Sequence, residues 1–494
     1  MLRNSAALAL TLAVALPAAA QDLPQAGSQW FADAQAVIEA RKAATPNTNR
    51  ARNVILFVAD GLGVGTNYAV RVFDGQQKGL LGEENVLPYE AFPNVALVKT
   101  YNINAQTPDS APTAGALNTG VKQRFNLINL GENAITGDCA SEADNRLTTF
   151  AEIVEGMGKS VGIVSTARLT HATPAAVYAK TAYRNWEAEA PEGCADIASQ
   201  MIEAIETGLV DVALGGGRRN FHGAEQMDGD GKGGRRKDGV DLIAAAQDSG
   251  VQYAWNTQTA QALKLDGSAP ILGLFDASHM KYEHDRPEGE IGLVDMTRMA
   301  IETLSTNEEG FYLEIEAGRV DHANHAGNLH RTLTDGVAFA QAVALADELT
   351  DDADTLIIVT ADHEHAIAFN GYCGRGTPIT GLCHDIDNAG VKHSDELVTA
   401  DDDKPYSVVG YLNGPGAVLK KGEDGVYSGE RATLTQAQAT DPDFLQEALI
   451  PKSSETHSGE DVVAWAKGPW AHLLGGTIEQ NVIFHVMHAA ATAE

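Results

Sequence analysis

The chain has 494 residues, 44% of them hydrophobic, which is enough for one large α/β domain or two ordinary ones. Acidic residues outnumber basic ones by 67 to 35, and a net charge of -32 argues against nucleic acid as a partner, since binding it needs a basic surface. So large an excess suits a protein bathed in salt, where screening relieves self-repulsion, although simple solubility would also account for it.

The first residues, MLRNSAALALTLAVALPAAAQD, place Arg3 ahead of an apolar core from Ala6 to Leu16, with Ala18 and Ala20 at Ala-x-Ala positions. This is the pattern of a secretory signal, residues 1–20, cleaved between Ala20 and Gln21. Its core is too short for a membrane anchor, and no later run of about 18 uninterrupted apolar residues follows. The mature chain, residues 21–494, is therefore expected to be exported, periplasmic or secreted, without an anchor. Cys139, Cys194, Cys373 and Cys383 all survive cleavage and would meet an oxidising compartment. Three pairings are open; Cys139 with Cys194 and Cys373 with Cys383 is preferred, the second closing a short Gly-rich loop.

The first strand signal is NVILFVAD, residues 53–60. Next, QTPDSAPTAGALNTG, residues 106–120, sets Asp109 and Ser110, two good N-cap residues, ahead of Pro112 and a run of small residues, and so predicts a helix start. Most serines so placed only satisfy orphan backbone N–H groups, and a nucleophile there needs something else to activate its hydroxyl. Leu147, Phe150, Ile153, Val154 and Met157 recur at offsets of three and four, a helical pattern. Further β-branched apolar runs follow at SVGIVSTA (160–167), VDVALGGG (210–217), GFYLEIEAG (310–318) and DTLIIVTADH (354–363). Alternation of such runs with helices predicts an α/β fold, a doubly wound and mostly parallel sheet with helices on both faces. DGDGKGGRRKDG, residues 228–239, lacks the acidic spacing and terminal Glu of an EF-hand and reads as a solvated loop. From about Phe369 to Ser453 the pattern dissolves into Gly, Pro, Asp and Lys, with one strand-like piece, YSVVGYL, as in an inserted subdomain or a long surface excursion.

Polar residues gather at one end of the predicted strands: Asp60, Arg168, Glu316, and Asp362 with His363. Open parallel sheets bind ligands at that edge. In EIEAGRVDHANHAG, Asp321 and His325 stand four apart and would share a helix face. With Asp60, Asp362, His363 and His457 they suffice for two metal ions, and carboxylates with imidazoles but no thiolates favour zinc in open catalytic sites.

Several of these stretches resemble alkaline phosphatases: TPDSAPTAGA, STARLTHATPAAVYA, YRNW, VDVALGGGRRNF, GLFDASHMKYE, IEAGRVDHANHAG, VTADHEH and ETHSGEDVVAWAKGPWAHLL. The likeness is closer to the animal enzymes than to the enterobacterial one and runs over almost the whole mature chain. It implies two Zn2+ and one Mg2+ per subunit: Asp321, His325 and His457 on the first zinc; Asp60, Asp362, His363 and the Ser110 oxygen on the second; Asp60, Thr173 and Glu316 on magnesium, with His171 in its outer shell. It implies Ser110 as nucleophile, Arg184 clasping the substrate phosphate, His322 beside it, a homodimer, and a crown-like insertion at about 369–453. A Ca2+ site of the animal relatives has the Phe275 carbonyl, Asp276 and Glu290 at corresponding places but no clear partner near Glu225. The activity implied is hydrolysis of small-molecule phosphate monoesters at alkaline pH. Rival readings are a phosphodiesterase or phosphomutase of the same metalloenzyme superfamily, which Ser110 with YRNW weighs against, and a non-catalytic secreted acidic metal-binding protein.

Overall fold

A computed structural model describes residues 23–494, so the signal sequence expected at 1–20 lies outside the described residues. The segment up to Pro46 stands as its own unit, a short 3-10 turn, Pro24–Gly27, followed by the helix Gln29–Ala43, neither with a buried side chain.

Residues 47–494 form one compact unit built on a ten-stranded sheet. In chain order its strands are β1 (Asn53–Ala59), β2 (Asn94–Lys99), β3 (Ser160–Arg168), β4 (Val212–Gly216), β5 (Gln252–Ala254), β6 (Ile271–Leu274), β7 (Phe311–Ala317), β8 (Thr355–Ala361), β9 (Val462–Lys467) and β10 (Gly476–Glu479). They lie in the order β10-β2-β9-β8-β1-β7-β3-β4-β6-β5. Every neighbouring pair is parallel except those of β9, which runs antiparallel to both β2 and β8. Every residue of β7 and β8 is buried. Because successive side chains point to opposite faces, the sheet is covered on both sides there, which is why these strands read as unbroken apolar runs.

The five strands expected from sequence are β1, β3, β4, β7 and β8. The helix expected from Leu147 to Met157 is shorter, Phe150–Glu155. Thr149 starts it with a capping box, its hydroxyl accepting from the Glu152 N–H at 3.2 Å while the Glu152 carboxylate accepts from the Thr149 N–H at 2.8 Å. Residues 228–239 form a mostly exposed loop, as expected, anchored at its start. Asp228 accepts the N–H groups of Asp230 and Lys232, and both carboxylates close on the fully buried Arg218 guanidinium.

In the excursion, Ile367–Phe369, Val409–Gly414 and Ala448–Pro451 form a three-stranded sheet, and Lys420–Lys421 pairs with Tyr427–Ser428. The predicted YSVVGYL strand is its middle member, shifted to start at Val409. Disulfides join Cys139 to Cys194 and Cys373 to Cys383, the preferred pairing.

Candidate active site

Strand register sets the site. Val58 of β1 pairs with Glu316 of β7, and Ala59 pairs with Ala317 on one side and Ala361 of β8 on the other. The next residues, Asp60 and Asp362, therefore leave the sheet side by side at its C-terminal edge, both fully buried. Gly61 then turns the chain at φ +74°, and a Cβ there would stand 2.4 Å from His365 Nε2, so only glycine fits.

One cluster surrounds Asp321, on the helix Arg319–His325. Its Oδ1 lies 3.3 Å from His325 Nε2, 3.3 Å from His457 Nε2 and 2.8 Å from His365 Nε2. The Nδ1 of His325 faces the Glu455 carbonyl at 2.6 Å, and that of His457 faces the Pro108 carbonyl at 2.9 Å. Each ring thus spends its proton on a backbone oxygen and turns a bare Nε2 lone pair inward, the arrangement of metal-ligating histidines. His365 differs: its Nδ1 meets Glu455 Oε2 at 2.5 Å and its Nε2 meets Asp321, so both nitrogens face carboxylates.

A second cluster lies at the start of the helix Ser110–Thr119. The Nε2 of His363 is 3.0 Å from Ser110 Oγ, 3.2 Å from Asp60 Oδ1 and 3.3 Å from Asp362 Oδ2. Asp60 also belongs to a third group with Glu316 and His171, whose ligand atoms lie within 4.8 Å of one another. Here Asp60 Oδ2, Glu316 Oε1, Thr173 Oγ1 and His171 Nδ1 are all buried without a hydrogen-bond partner among the described residues. Unpaired buried oxygens of this number are costly without a cation to satisfy them, so the residues fit metal ions.

Electrostatics lead to the same point. Burial, then the nearby Asp321 charge, holds the Asp60 carboxyl well above the usual carboxylate range. Burial and Asp60 do the same to Glu316 and push Asp362 up to about 7. Burial alone would also raise Asp321, but His325, His365 and His457 hold it well below its ordinary value. Burial opposes the charged form of His365, yet Glu455 and Asp321 keep its pKa well above that of a free imidazole.

Arg184 lies beside these clusters, its Nη1 on Asp109 Oδ1 at 2.5 Å and its Nη2 3.0 Å from His171 Nε2. Asp109 occupies the N-cap position but makes no side-chain cap; its second oxygen accepts from the Asn126 N–H. Ser110 is thus the first helical residue and not the cap. The His322 ring stands 5.5 Å from His171. Of the calcium correspondence, Asp276 caps the Ser278 N–H and Glu290 is already paired with the Lys281 ammonium. Sequence reasoning missed His365 and Glu455. The alternation in His363-Glu364-His365 was a signal for the first, but nothing local marks the second.

Oxygen and imidazole donors without thiolate, open to a serine and an arginine, define a metal-dependent hydrolase. Comparison with known sequences narrows the class: residues 51–493 match the alkaline phosphatase family, and the chain belongs to it. Membership makes it a phosphate monoester hydrolase. It is 39% identical to an alkaline phosphatase of Gadus morhua, over 90% of this chain and 93% of that one. It is likewise 39% identical to the tissue-nonspecific isozyme of Gallus gallus, over 90% and 85%. The fold is similar to that of the Thermus thermophilus alkaline phosphatase, TM-score 0.64 at 23% identity, covering 92% of this chain and 94% of that one. It is similar too to the alkaline phosphatase of the Antarctic bacterium TAB5, TM-score 0.62 at 21% identity, covering 90% and 100%. These animal sequences are the nearer relatives, as the motifs implied.

Proposed function

We propose that the chain hydrolyses phosphate monoesters through a phosphoseryl intermediate on Ser110. The observation that carries this is the Ser110 hydroxyl, 2% exposed, at the first turn of a helix and 3.0 Å from a histidine nitrogen that also faces two carboxylates. Asp321, His325 and His457 hold one zinc ion, Asp60, Asp362, His363 and the Ser110 oxygen a second, and Asp60, Glu316 and Thr173 a magnesium ion with His171 beside it. When bound, these cations stabilise the charge that builds on attacking, leaving and phosphoryl oxygens and lower the pKa of hydroxyl and water.

The protein's own groups do the rest. Arg184, held flat by Asp109 and His171, offers its fork to two phosphoryl oxygens, and His322 lines the same side. The positive end of the helix Ser110–Thr119 favours the serine oxyanion. Ser110 Oγ attacks phosphorus in line, the ester P–O bond breaks, and the alcohol leaves on the opposite side. Water enters from the vacated side, cleaves the phosphoserine and frees phosphate; two inversions give net retention.

Two disulfides support export, and among the described residues no helix is long and apolar enough to cross a membrane. The helix Gln29–Ala43, with Trp30 76% exposed, supports a homodimer in which a second copy covers it. The test of function combines metal analysis with turnover of a chromogenic monoester and its diester across pH. A diester turned over faster than the monoester would overturn the proposal.

A further inference from the structure

Beside the phosphate clasp the chain collects more positive charge than the reaction just described uses. The His279 ring lies 4.0 Å from His322 and 5.3 Å from His171, whose Nε2 is the one that meets Arg184. Around His279 stand Arg168, Arg219 and Arg319, and Arg235 reinforces Arg219. Both nitrogens of the His279 ring face Arg168, Nδ1 accepting its backbone N–H at 3.3 Å and Nε2 lying against its guanidinium. Four carboxylates stand near these arginines: Glu187 holds Arg168 through two bonds of 2.7 Å, Asp276 accepts the Ser278 N–H, Asp335 accepts the Glu283 N–H, and Asp285 is paired with Arg331. Arg219, Arg235 and Arg319 have no ion-pair partner among the described residues, and the Nε atoms of Arg219 and Arg319 are buried without a hydrogen bond. Arg319 rests its guanidinium on the Tyr282 ring at 3.6 Å, which fixes its direction without neutralising it. Three arginines without an ion pair at one place, in a chain whose net charge is -32, make a local field that favours an anion.

We propose that this basin is a second anion subsite, which receives a second phosphate carried on the leaving alcohol, so that bisphosphate esters are the preferred substrates. The proposal rests on Arg184 clasping the reacting phosphate. The two charges are then recognised at separate places, one by Arg184 and one by Arg219 with Arg319, and the imidazoles of His322 and His279 bridge the interval.

The test compares kcat/KM for 1,4-butanediol monophosphate and 1,4-butanediol bisphosphate, the latter halved for its two equivalent ends. The native enzyme is expected to prefer the bisphosphate by about tenfold or more, the factor of one charge-assisted hydrogen bond. Arg219→Gln with Arg235→Gln, both off the strand that leads to the metal ligands, should abolish the preference while monophosphate turnover stays within about twofold. Arg219→Lys should restore part of it, which a folding defect would not allow. Equal rates for the two substrates in the native enzyme, or a preference untouched by the double variant, overturn the subsite. If the basin takes free phosphate only, inhibition by inorganic phosphate will be mixed and no preference will appear, which also overturns it. Failure to turn over either ester would instead sink the parent reading of the function.

Discussion

The Nε2 atoms of His325 and His457 face each other at 3.2 Å, and each ring has its other nitrogen on a backbone carbonyl. Two lone pairs and the Asp321 oxygen, 3.3 Å from both, repel one another unless a cation stands between them. Metal binding and folding should therefore be coupled here.

Metal removal should make stability fall as pH rises. Burial and Asp60 raise the folded pKa of Asp362 to about 7, so between its ordinary value of 3.8 and 7 the folded chain binds more protons than the unfolded one. That stabilisation is present below the unfolded value and lost as pH climbs through 7. His365, raised by its two carboxylates, acts in the same sense. Calorimetry of the EDTA-treated protein should show Tm dropping from pH 5 to 8.5, whereas the metal-loaded protein should hold its Tm. Parallel curves would contradict the coupling.

Ser110→Ala should abolish phosphoryl transfer to an added alcohol such as Tris, and the covalent label trapped with a labelled monoester at acidic pH. Because Asp109 and not Ser110 stands at the N-cap, the substitution should cost less than about 1 kcal/mol, the usual effect of losing a cap. Label mapped to any other residue would refute the assignment.

Arg184→Ala should weaken phosphate binding and slow turnover without releasing zinc, since the guanidinium touches Asp109 and His171 and none of the first two clusters. Phosphate inhibition constants and zinc content are the two readouts. Loss of zinc would mean that the residue has been misplaced.

His365→Asn should weaken zinc at the Asp321 cluster by about 10- to 100-fold, the range found when a partner of a ligating group is lost. His365 braces Asp321 from one side and Glu455 from the other, and so sets where the carboxylate points. Added zinc should rescue turnover in this variant. Failure of rescue at saturating zinc would assign His365 a role other than positioning.

Charge predicts a salt response. With -32 net charges the folded state repels itself at 0.01 M salt, where the Debye length is about 30 Å, and much less at 1 M, where it is about 3 Å. Tm should rise with NaCl over that range. A flat or falling Tm would remove the argument for adaptation to salt.

The strands that frame the site were legible because β1, β7 and β8 are buried on both faces and so are written as continuous apolar runs. β5, β6 and β10 have three or four residues each, too few to show a period. The three-stranded sheet of the excursion draws on segments around Ile367, Val409 and Ala448, and pairings over such distances leave no local trace. In the site, Asp321 and His325 were marked by helical spacing, and Asp60 and Asp362 by their strand ends. Ser110 was marked by the helix start at Asp109 and Pro112, but its role as nucleophile, like the roles of Thr173 and Arg184, came only through family resemblance, because a lone hydroxyl or guanidinium carries no pattern of its own. Glu455 meets His365 across 90 residues, and His279 lies in a loop whose neighbours come from three other strands' ends.

β9 runs against its neighbours, so it begins at the edge where the parallel strands end, and His457, just ahead of it, arrives at the site from the last tenth of the chain. Its ring docks on the Pro108 carbonyl 349 residues earlier in sequence. A ribosome that has delivered Asp60, Ser110, Asp321 and Asp362 has still made no complete first cation pocket. Until His457 follows, the growing chain holds most of the ligands of that pocket but cannot close them. The Asp321 pocket closes only once the C-terminal segment has folded back, so its completion would mark finished synthesis.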